Sequence, residues 1–200
     1  MRILHLSDVH GETALLSYAL KELARKEKAD LVVFSGDLEA YSEEPLRGCE
    51  KPLLAVTGNM DDAMVAALFS RLGVSVEGKC TVIAGIRVCG VGGRAPVRDA
   101  VKVLALAKGG GVDVLVTHYP PRGTKVDVAL SGVHIGKEIV RDLIRELRPK
   151  LCLCGHVHEA RGIDKLGETV LVNPGPLSWG LYAVIDVERM SVELKRVRGV

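Results

Sequence analysis

The sequence predicts an α/β fold, and three observations carry that prediction. Short apolar runs alternate with stretches of helical periodicity through the first 72 residues, the pattern of βαβ units and a largely parallel sheet. Runs such as Leu31-Val32-Val33-Phe34 are apolar without interruption, as strands covered on both faces are. The tail changes character, to β-like runs separated by turns.

Taken in order, residues 2–7 read as a first strand, and residues 12–28 as an amphipathic helix with Leu16, Leu20 and Leu23 at helical spacing. Strands follow at 31–35 and 53–57, then a helix at 61–72. Residues 81–84 and 87–91 form two short β-rich runs joined by Gly85-Ile86, which reads as a hairpin. A helix at 97–108 ends at Gly109-Gly110-Gly111, and 112–117 is a buried strand ending at His118. Ile139, Leu143 and Leu147 mark another helix, and 151–154 another strand. The tail offers strands at 169–172, 181–187 and 191–197, with turns at 173–176 and 188–190. With no linker, repeat or low-complexity segment, residues 1–200 are expected to form one domain.

A chain of 200 residues suits that expectation and buries roughly 70% of its unfolded surface. A hydrophobic fraction of 48% with 26% charged residues excludes a disordered chain, and no apolar run of 18 residues is present to span a membrane as a helix. Lys and Arg number 27 against 25 Asp and Glu, a net charge of +2, so no dedicated nucleic-acid-binding domain is expected. Met1-Arg2-Ile3-Leu4-His5 runs straight into the first strand and does not read as a secretory leader. Five cysteines without a CxxC pair, mostly in apolar strand contexts, read as buried free thiols in a reducing, cytoplasmic setting. Gln is absent and Asn occurs twice, at Asn59 and Asn173, a scarcity that fits a heat-adapted, thermophile protein. A chain this sparing with amides keeps one where chemistry needs it.

Ligand-type residues recur where expected strands stop. Asp8-Val9-His10 follows the first, Gly36-Asp37 the second, and Gly58-Asn59 the third. His118 ends the fourth, and Gly155-His156-Val157-His158 follows the fifth. Strand C-termini form the functional edge of open α/β sheets, so these scattered positions are expected to converge. Each fragment alone is weak; five in this order are not. Histidine nitrogens and carboxylate or amide oxygens without thiolate suit divalent Mn, Fe, Ni or Zn, and seven ligands suit two ions sharing a carboxylate.

In these motifs the sequence resembles the calcineurin-like metallophosphoesterase superfamily, whose series is D-x-H, G-D, G-N-H-[D/E], H and G-H-x-H, over nearly the whole chain. It is most similar to the small single-domain phosphodiesterases that share the fold of vacuolar sorting protein 29. The resemblance implies a four-layer αββα sandwich of two mixed β-sheets flanked by helices. It implies one metal on Asp8, His10, Asp37 and His158, and a second on Asp37, Asn59, His118 and His156, with Asp37 bridging and manganese the expected ion. It implies a hydrolase that cleaves a small phosphodiester or nucleotide-type substrate by attack of a metal-bridged hydroxide. Asn59, as a neutral amide, is expected to ligate metal and face substrate without repelling its charge.

One departure stands out. The family histidine of G-N-H-[D/E], credited with protonating the leaving oxygen or steadying the phosphate, is Met60 here. A thioether has no proton to give, and a general acid is worth about 10²–10⁴-fold. Diesters, or esters with good leaving groups, are therefore expected over alkyl phosphomonoesters. His134, in Ser131-Gly132-Val133-His134, has two readings: a phosphate contact or stand-in acid, since similar small family members carry a histidine here, or a helix-entry residue packing locally. His5 reads as a satisfied core histidine.

Gly90–Arg94 and Gly109–Gly111 lack a P-loop Lys-Ser/Thr and read as turns. Asn173-Pro174-Gly175-Pro176 reads as a turn by composition, and the resemblance, in which family members keep an N-P-G turn near the metal centre, implies a supporting role for Asn173. Arg122 and Lys125, and the tail cations Lys195, Arg196 and Arg198, read as solvated. Two other functions remain: a phosphomonoesterase or nucleotide phosphatase, and a non-catalytic protein-interaction scaffold with eroded ligands. Substrate identity, native metal and oligomeric state, a homo-oligomer included, stay open.

Overall fold

Alternation along each strand sorts side chains between two environments, and that sorting builds the architecture. The computed structural model describes residues 1–197. In chain order the first half comprises β1 (Arg2–Leu6), α1 (Thr13–Tyr18), a π-helical turn (Ala19–Leu23) running into α2 (Ala24–Lys26), β2 (Leu31–Phe34), α3 (Glu44–Arg47), β3 (Leu53–Ala55) and α4 (Ala63–Arg71). The second half comprises β4 (Cys80–Ile83), β5 (Ile86–Val91), α5 (Pro96–Ala107), β6 (Val114–Thr117), α6 (Glu138–Leu147), β7 (Leu151–Leu153), β8 (Gly162–Leu166), β9 (Thr169–Asn173), β10 (Leu181–Asp186) and β11 (Ser191–Arg196).

Two mixed sheets result, in the orders β11-β10-β1-β2-β3 and β4-β5-β6-β7-β9-β8. In the first, β1, β2 and β3 are parallel and β10 joins β1 antiparallel. In the second, β5, β6, β7 and β9 are parallel, with antiparallel β4 and β8 at the edges. Ile3, Leu31, Val33, Val114, Val116, Leu151 and Leu153 fill a core between the sheets. Their sequence neighbours Leu4, Val32 and Phe34 pack with Leu16, Leu20 and Phe69 of the helices on one side. Leu115 and Cys152 pack with Val103, Val140 and Leu143 of α5 and α6 on the other. Strands covered on both faces explain the uninterrupted apolar runs, and the four layers α-β-β-α match the expected sandwich.

Local chemistry explains the element ends. The Asp62 side chain accepts the N–H groups of Met64 and Val65 and starts α4. Ala84 and Gly85, at φ 49° and 81°, form the two-residue turn of the β4–β5 hairpin. The turn therefore lies one residue earlier than Gly85-Ile86. Two elements are additional to the sequence reading: short α3, and β8, an edge strand in which exposed Ile163 and Lys165 alternate with half-buried Gly162, Asp164 and Leu166.

Two further expectations need correction. Cys80 and Cys89 are directly paired across β4 and β5 and form a disulfide, so only Cys49, Cys152 and Cys154 are free. Lys195 is not a solvated cation: its ammonium pairs with the buried Glu27 carboxylate at 2.7 Å. Arg196 is exposed as expected, and Arg198 lies outside the described residues. Among the described residues, no helix is long and apolar enough to cross a membrane.

Candidate metal centre

The C-terminal ends of β1, β2 and β3 in one sheet and of β6 and β7 in the other face a common edge. Backbone bonds tie the loops there: Asp8 N–H to the Gly36 carbonyl at 2.9 Å, Val9 N–H to Asp37 at 2.8 Å, and Gly155 N–H to His118 at 3.0 Å. Asp8, His10, Asp37, Glu39 and His156 all hold left-handed backbone, with φ between 48° and 69°. That conformation costs a non-glycine residue about 1–2 kcal/mol, and such strain persists where surrounding structure over-determines it. Here the over-determination is visible. The buried Asp61 carboxylate accepts the N–H groups of Asp37 at 3.0 Å, Leu38 at 2.9 Å, Glu39 at 3.0 Å and Gly58 at 2.8 Å.

Six of the seven expected ligands sit in direct contact or ion-pair range of one another, and the seventh, His156, stacks against them. Asp8, His10 and His158 place one ligand atom each within 4.8 Å of the others, and so do Asp8, Asp37 and His118. Asp8 is common to both groups, while Asp37 belongs to the second. His158 Nε2 stands 3.4 Å from Asp8 Oδ1, and His118 Nε2 stands 3.5 Å from Asp37 Oδ2. Asn59 Oδ1 lies 2.8 Å from His118 Nε2. The His156 ring centroid is 5.1 Å from that of His118, and the backbone N–H of His156 donates to the Asp8 carboxylate.

The histidine orientations test whether metal fits. His118 Nδ1 faces the Ser35 carbonyl at 2.9 Å, which can only accept, so Nδ1 carries the proton. Nε2, on the far side of the ring, turns to Asn59 Oδ1, so these two expected ligand atoms converge 2.8 Å apart. His10 Nδ1 likewise meets the Glu39 carboxylate at 2.6 Å, and its Nε2 faces His158 Nε2 at 3.0 Å. Outer acceptors that fix Nδ1–H and turn Nε2 inward are the usual support of metal-binding histidines. Asp8 and Asp37 are almost fully buried, and among the described residues only histidines lie within ion-pair range of them. Two buried carboxylates without a strong cation are costly, and divalent metal ions would complete the set.

Electrostatics divide the cluster. Burial works to raise the Asp8 carboxyl, yet the His158 hydrogen bond and the His118 charge bring it below its ordinary value. Burial holds Asp37 above its own. The hydrogen bond to Asp8 raises His158, whereas burial and neighbouring His118 push His156 down to about 4. A neutral His156 ring is free to ligate.

The remaining expected residues fall in different places. Met60 is exposed beside Asn59, and its N–H donates to Asp37 Oδ1 at 2.9 Å. His134 belongs to neither ligand group; its Nδ1 is bonded to buried Asp127 at 2.7 Å. Asn173, the last residue of β9 rather than part of a turn, donates to the Val157 carbonyl at 2.8 Å and accepts Gly175 N–H at 3.0 Å. It thereby steadies the residue between His156 and His158. His5 is fully buried but half satisfied: Nε2 meets Ser35 Oγ at 2.9 Å while Nδ1 has no partner. Arg122 and Lys125 are exposed.

Sequence reasoning missed Asp61, Glu39 and Asp127, whose roles are to orient other groups. Asp61 stands within the Gly58-Asn59-Met60-Asp61 run, so a signal for it existed. Gly93, read as a turn glycine, permits close approach: a Cβ there would lie 2.6 Å from Asn59 N and 2.8 Å from His118 Cδ2.

Comparison with known proteins agrees with this fold. The family profile for the calcineurin-like phosphoesterase superfamily domain matches residues 1–190. An uncharacterised protein of Methanocaldococcus jannaschii is 29% identical over 222 residues, covering 100% of this chain and 98% of that one. A Thermus thermophilus protein of known crystal structure has a similar fold, with TM-score 0.78 at 22% identity over 98% of this chain and 99% of that one. A structurally and functionally characterised archaeal phosphodiesterase has TM-score 0.64 at 15% identity over 98% of this chain and 100% of that one. These two structural likenesses concern the fold.

Proposed function

The chain belongs to the calcineurin-like phosphoesterase superfamily, and from that premise we propose that it is a dinuclear, metal-dependent phosphodiesterase. The carrying observation is the convergence of Asp8, His10, His158, Asp37 and His118 at one sheet edge with their ligand atoms turned inward. Asp8, His10, Asp37 and His158 would hold one ion, and Asp37, Asn59, His118 and His156 the other. When bound, two divalent cations of this kind supply Lewis acidity, neutralising phosphoryl oxygens and acidifying water.

The protein residues do the rest. Glu39 and the Ser35 carbonyl fix the protons of His10 and His118 on Nδ1. Asp61 holds the Asp37 and Asn59 loops in register through backbone N–H groups. Asn59 offers an oxygen without negative charge, so it does not repel an anionic ester. Met60 adds neither charge nor proton at the rim. A phosphodiester carries one negative charge and a phosphomonoester up to two, so a rim without a cation at Met60 favours the diester. The fold likeness to an archaeal phosphodiesterase supports the same choice.

The test is an assay of diesters and monoesters after chelation and reloading with Mn²⁺, Ni²⁺, Zn²⁺ or Mg²⁺, for the parent and Asp37→Ala. Metal uptake by the parent with diester turnover, both lost in Asp37→Ala, is the expected outcome. A parent that takes up no metal, or an Asp37→Ala variant as active as the parent, would overturn the reading.

A further inference from the structure

Hydrolysis of an ester with a poor leaving group needs a proton for the departing oxygen, and Met60 cannot give one. A second, separate feature answers that need. Asp127 is fully buried and lies outside the metal cluster, yet its carboxylate collects five donors. It accepts from the N–H groups of Gly123 at 3.1 Å, Thr124 at 2.8 Å and Gly136 at 3.2 Å, from Thr124 Oγ1 at 3.3 Å, and from His134 Nδ1 at 2.7 Å. Four of these order a loop. The fifth fixes a half-exposed imidazole with Nδ1–H on the carboxylate and Nε2 at the ring's other edge, for which no protein partner is seen among the described residues.

The segment that carries this ring is fastened to the loop that carries His156 and His158. Asn173 Nδ2 donates both to the Val126 carbonyl at 3.4 Å and to the Val157 carbonyl at 2.8 Å. Leu130 N–H donates to Glu159 Oε1 at 2.8 Å, one residue beyond His158. Between them, Val128 and His134 pair antiparallel, Ala129 N–H reaches the Val133 carbonyl at 2.9 Å, and Ile135 N–H reaches the Asp127 carbonyl at 3.0 Å. This short hairpin sets His134 at its base, bound to the same loop as two expected ligands.

We propose that His134 is the proton donor to the leaving oxygen and that Asp127 is its positioning residue, a dyad that takes over the task Met60 cannot perform. The proposal rests on the phosphodiesterase reading above. In the step, a water oxygen forms the new bond to phosphorus while the bond from phosphorus to the ester oxygen breaks, its electron pair leaving on that oxygen. The doubly protonated ring gives its Nε2 proton to the leaving oxygen and releases an alcohol. The ring keeps Nδ1–H on Asp127, the proton shed by the attacking water passes to solvent, and Nε2 is recharged from solvent.

The test compares two diesters of one common alcohol, one losing 4-nitrophenolate and the other an alkoxide, in the metal-loaded parent, His134→Gln and Asp127→Asn. A general acid matters in proportion to the basicity of the leaving oxygen. His134→Gln is expected to lose about 100-fold in kcat on the alkoxide substrate and less than about fivefold on the 4-nitrophenyl one. Asp127→Asn is expected to lose less, with the same dependence on leaving group. Equal losses on both substrates, or no loss, would overturn the dyad. Metal affinity of each variant, measured by calorimetry, is expected to match the parent. Nitrogen-15 NMR of the unmutated, metal-free protein supplies a readout independent of turnover and of the variants' folding. It should place the fixed proton of His134 on Nδ1, and a neutral ring protonated on Nε2 instead would overturn the proposal. A parent that turns over no diester defeats the phosphodiesterase reading, and the NMR result still decides the placement of the ring.

Discussion

The carboxylate of Asp61 accepts the backbone N–H of Asp37 at 3.0 Å, across 24 residues of sequence, and so fixes the left-handed backbone that presents Asp37. Three more N–H groups share that carboxylate. Asp61→Ala leaves three of the four, those of Asp37, Leu38 and Gly58, buried without this partner, and each such donor costs about 1–3 kcal/mol. The variant is expected to lose about 3 kcal/mol or more of stability in urea unfolding, and 10- to 100-fold in metal affinity by calorimetry, as loss of an outer support does.

Glycine at 155 is required by crowding. A Cβ there would overlap Ser7 Oγ and lie 2.5 Å from Asp8 Oδ2, whereas a Cβ at Gly109 meets nothing within 4 Å. Gly155→Ala is therefore expected to displace Asp8 and abolish tight metal binding, with Gly109→Ala within about 0.5 kcal/mol of the parent, as surface changes usually are. Paired metal titrations and melts check both.

Burial depresses His5 to about 3 from an ordinary 6.5, so the folded protein takes up this proton less readily than the unfolded chain. Its contribution is fully present above pH 6.5 and is lost as pH falls from there toward 3. Between pH 6.5 and 5 the loss from this group is about 2 kcal/mol at one proton per unit of pH. His5→Leu is expected to flatten the pH dependence of unfolding by that amount. An unchanged slope would show that the ring protonates freely in the folded state.

The disulfide makes a countable prediction. The denatured, unreduced chain should show three reactive thiols, Cys49, Cys152 and Cys154, and five after reduction. Closing a loop of this length stabilises by about 2–3 kcal/mol, so reduction is expected to lower the unfolding free energy by that much.

What the sequence made legible follows from where the physics is local. The apolar runs and ligand-type residues at strand ends revealed β1, β2, β3, β6 and β7, and with them the edge at which the seven expected ligands sit. Pairing depended on register. A hairpin turning on Gly85-Ile86 would place Cys80 opposite Val91, and only the true turn at Ala84-Gly85 brings it to Cys89. β8 was hidden because an edge strand with one face in solvent has too few apolar residues to signal itself. Asp61, Glu39 and Asp127 escaped because a carboxylate that supports another residue looks, in sequence, like any surface acid.

The central claim is diester hydrolysis at a metal centre whose rim carries Met60 in place of a histidine. The most direct measurement is kcat/KM of the Mn²⁺-loaded parent for bis(4-nitrophenyl) phosphate against an alkyl phosphomonoester. The diester, with its single negative charge and good leaving group, should be turned over at least about tenfold faster, a difference of about 1.4 kcal/mol in barrier, and both reactions should stop on chelation. Faster turnover of the alkyl phosphomonoester would contradict the account.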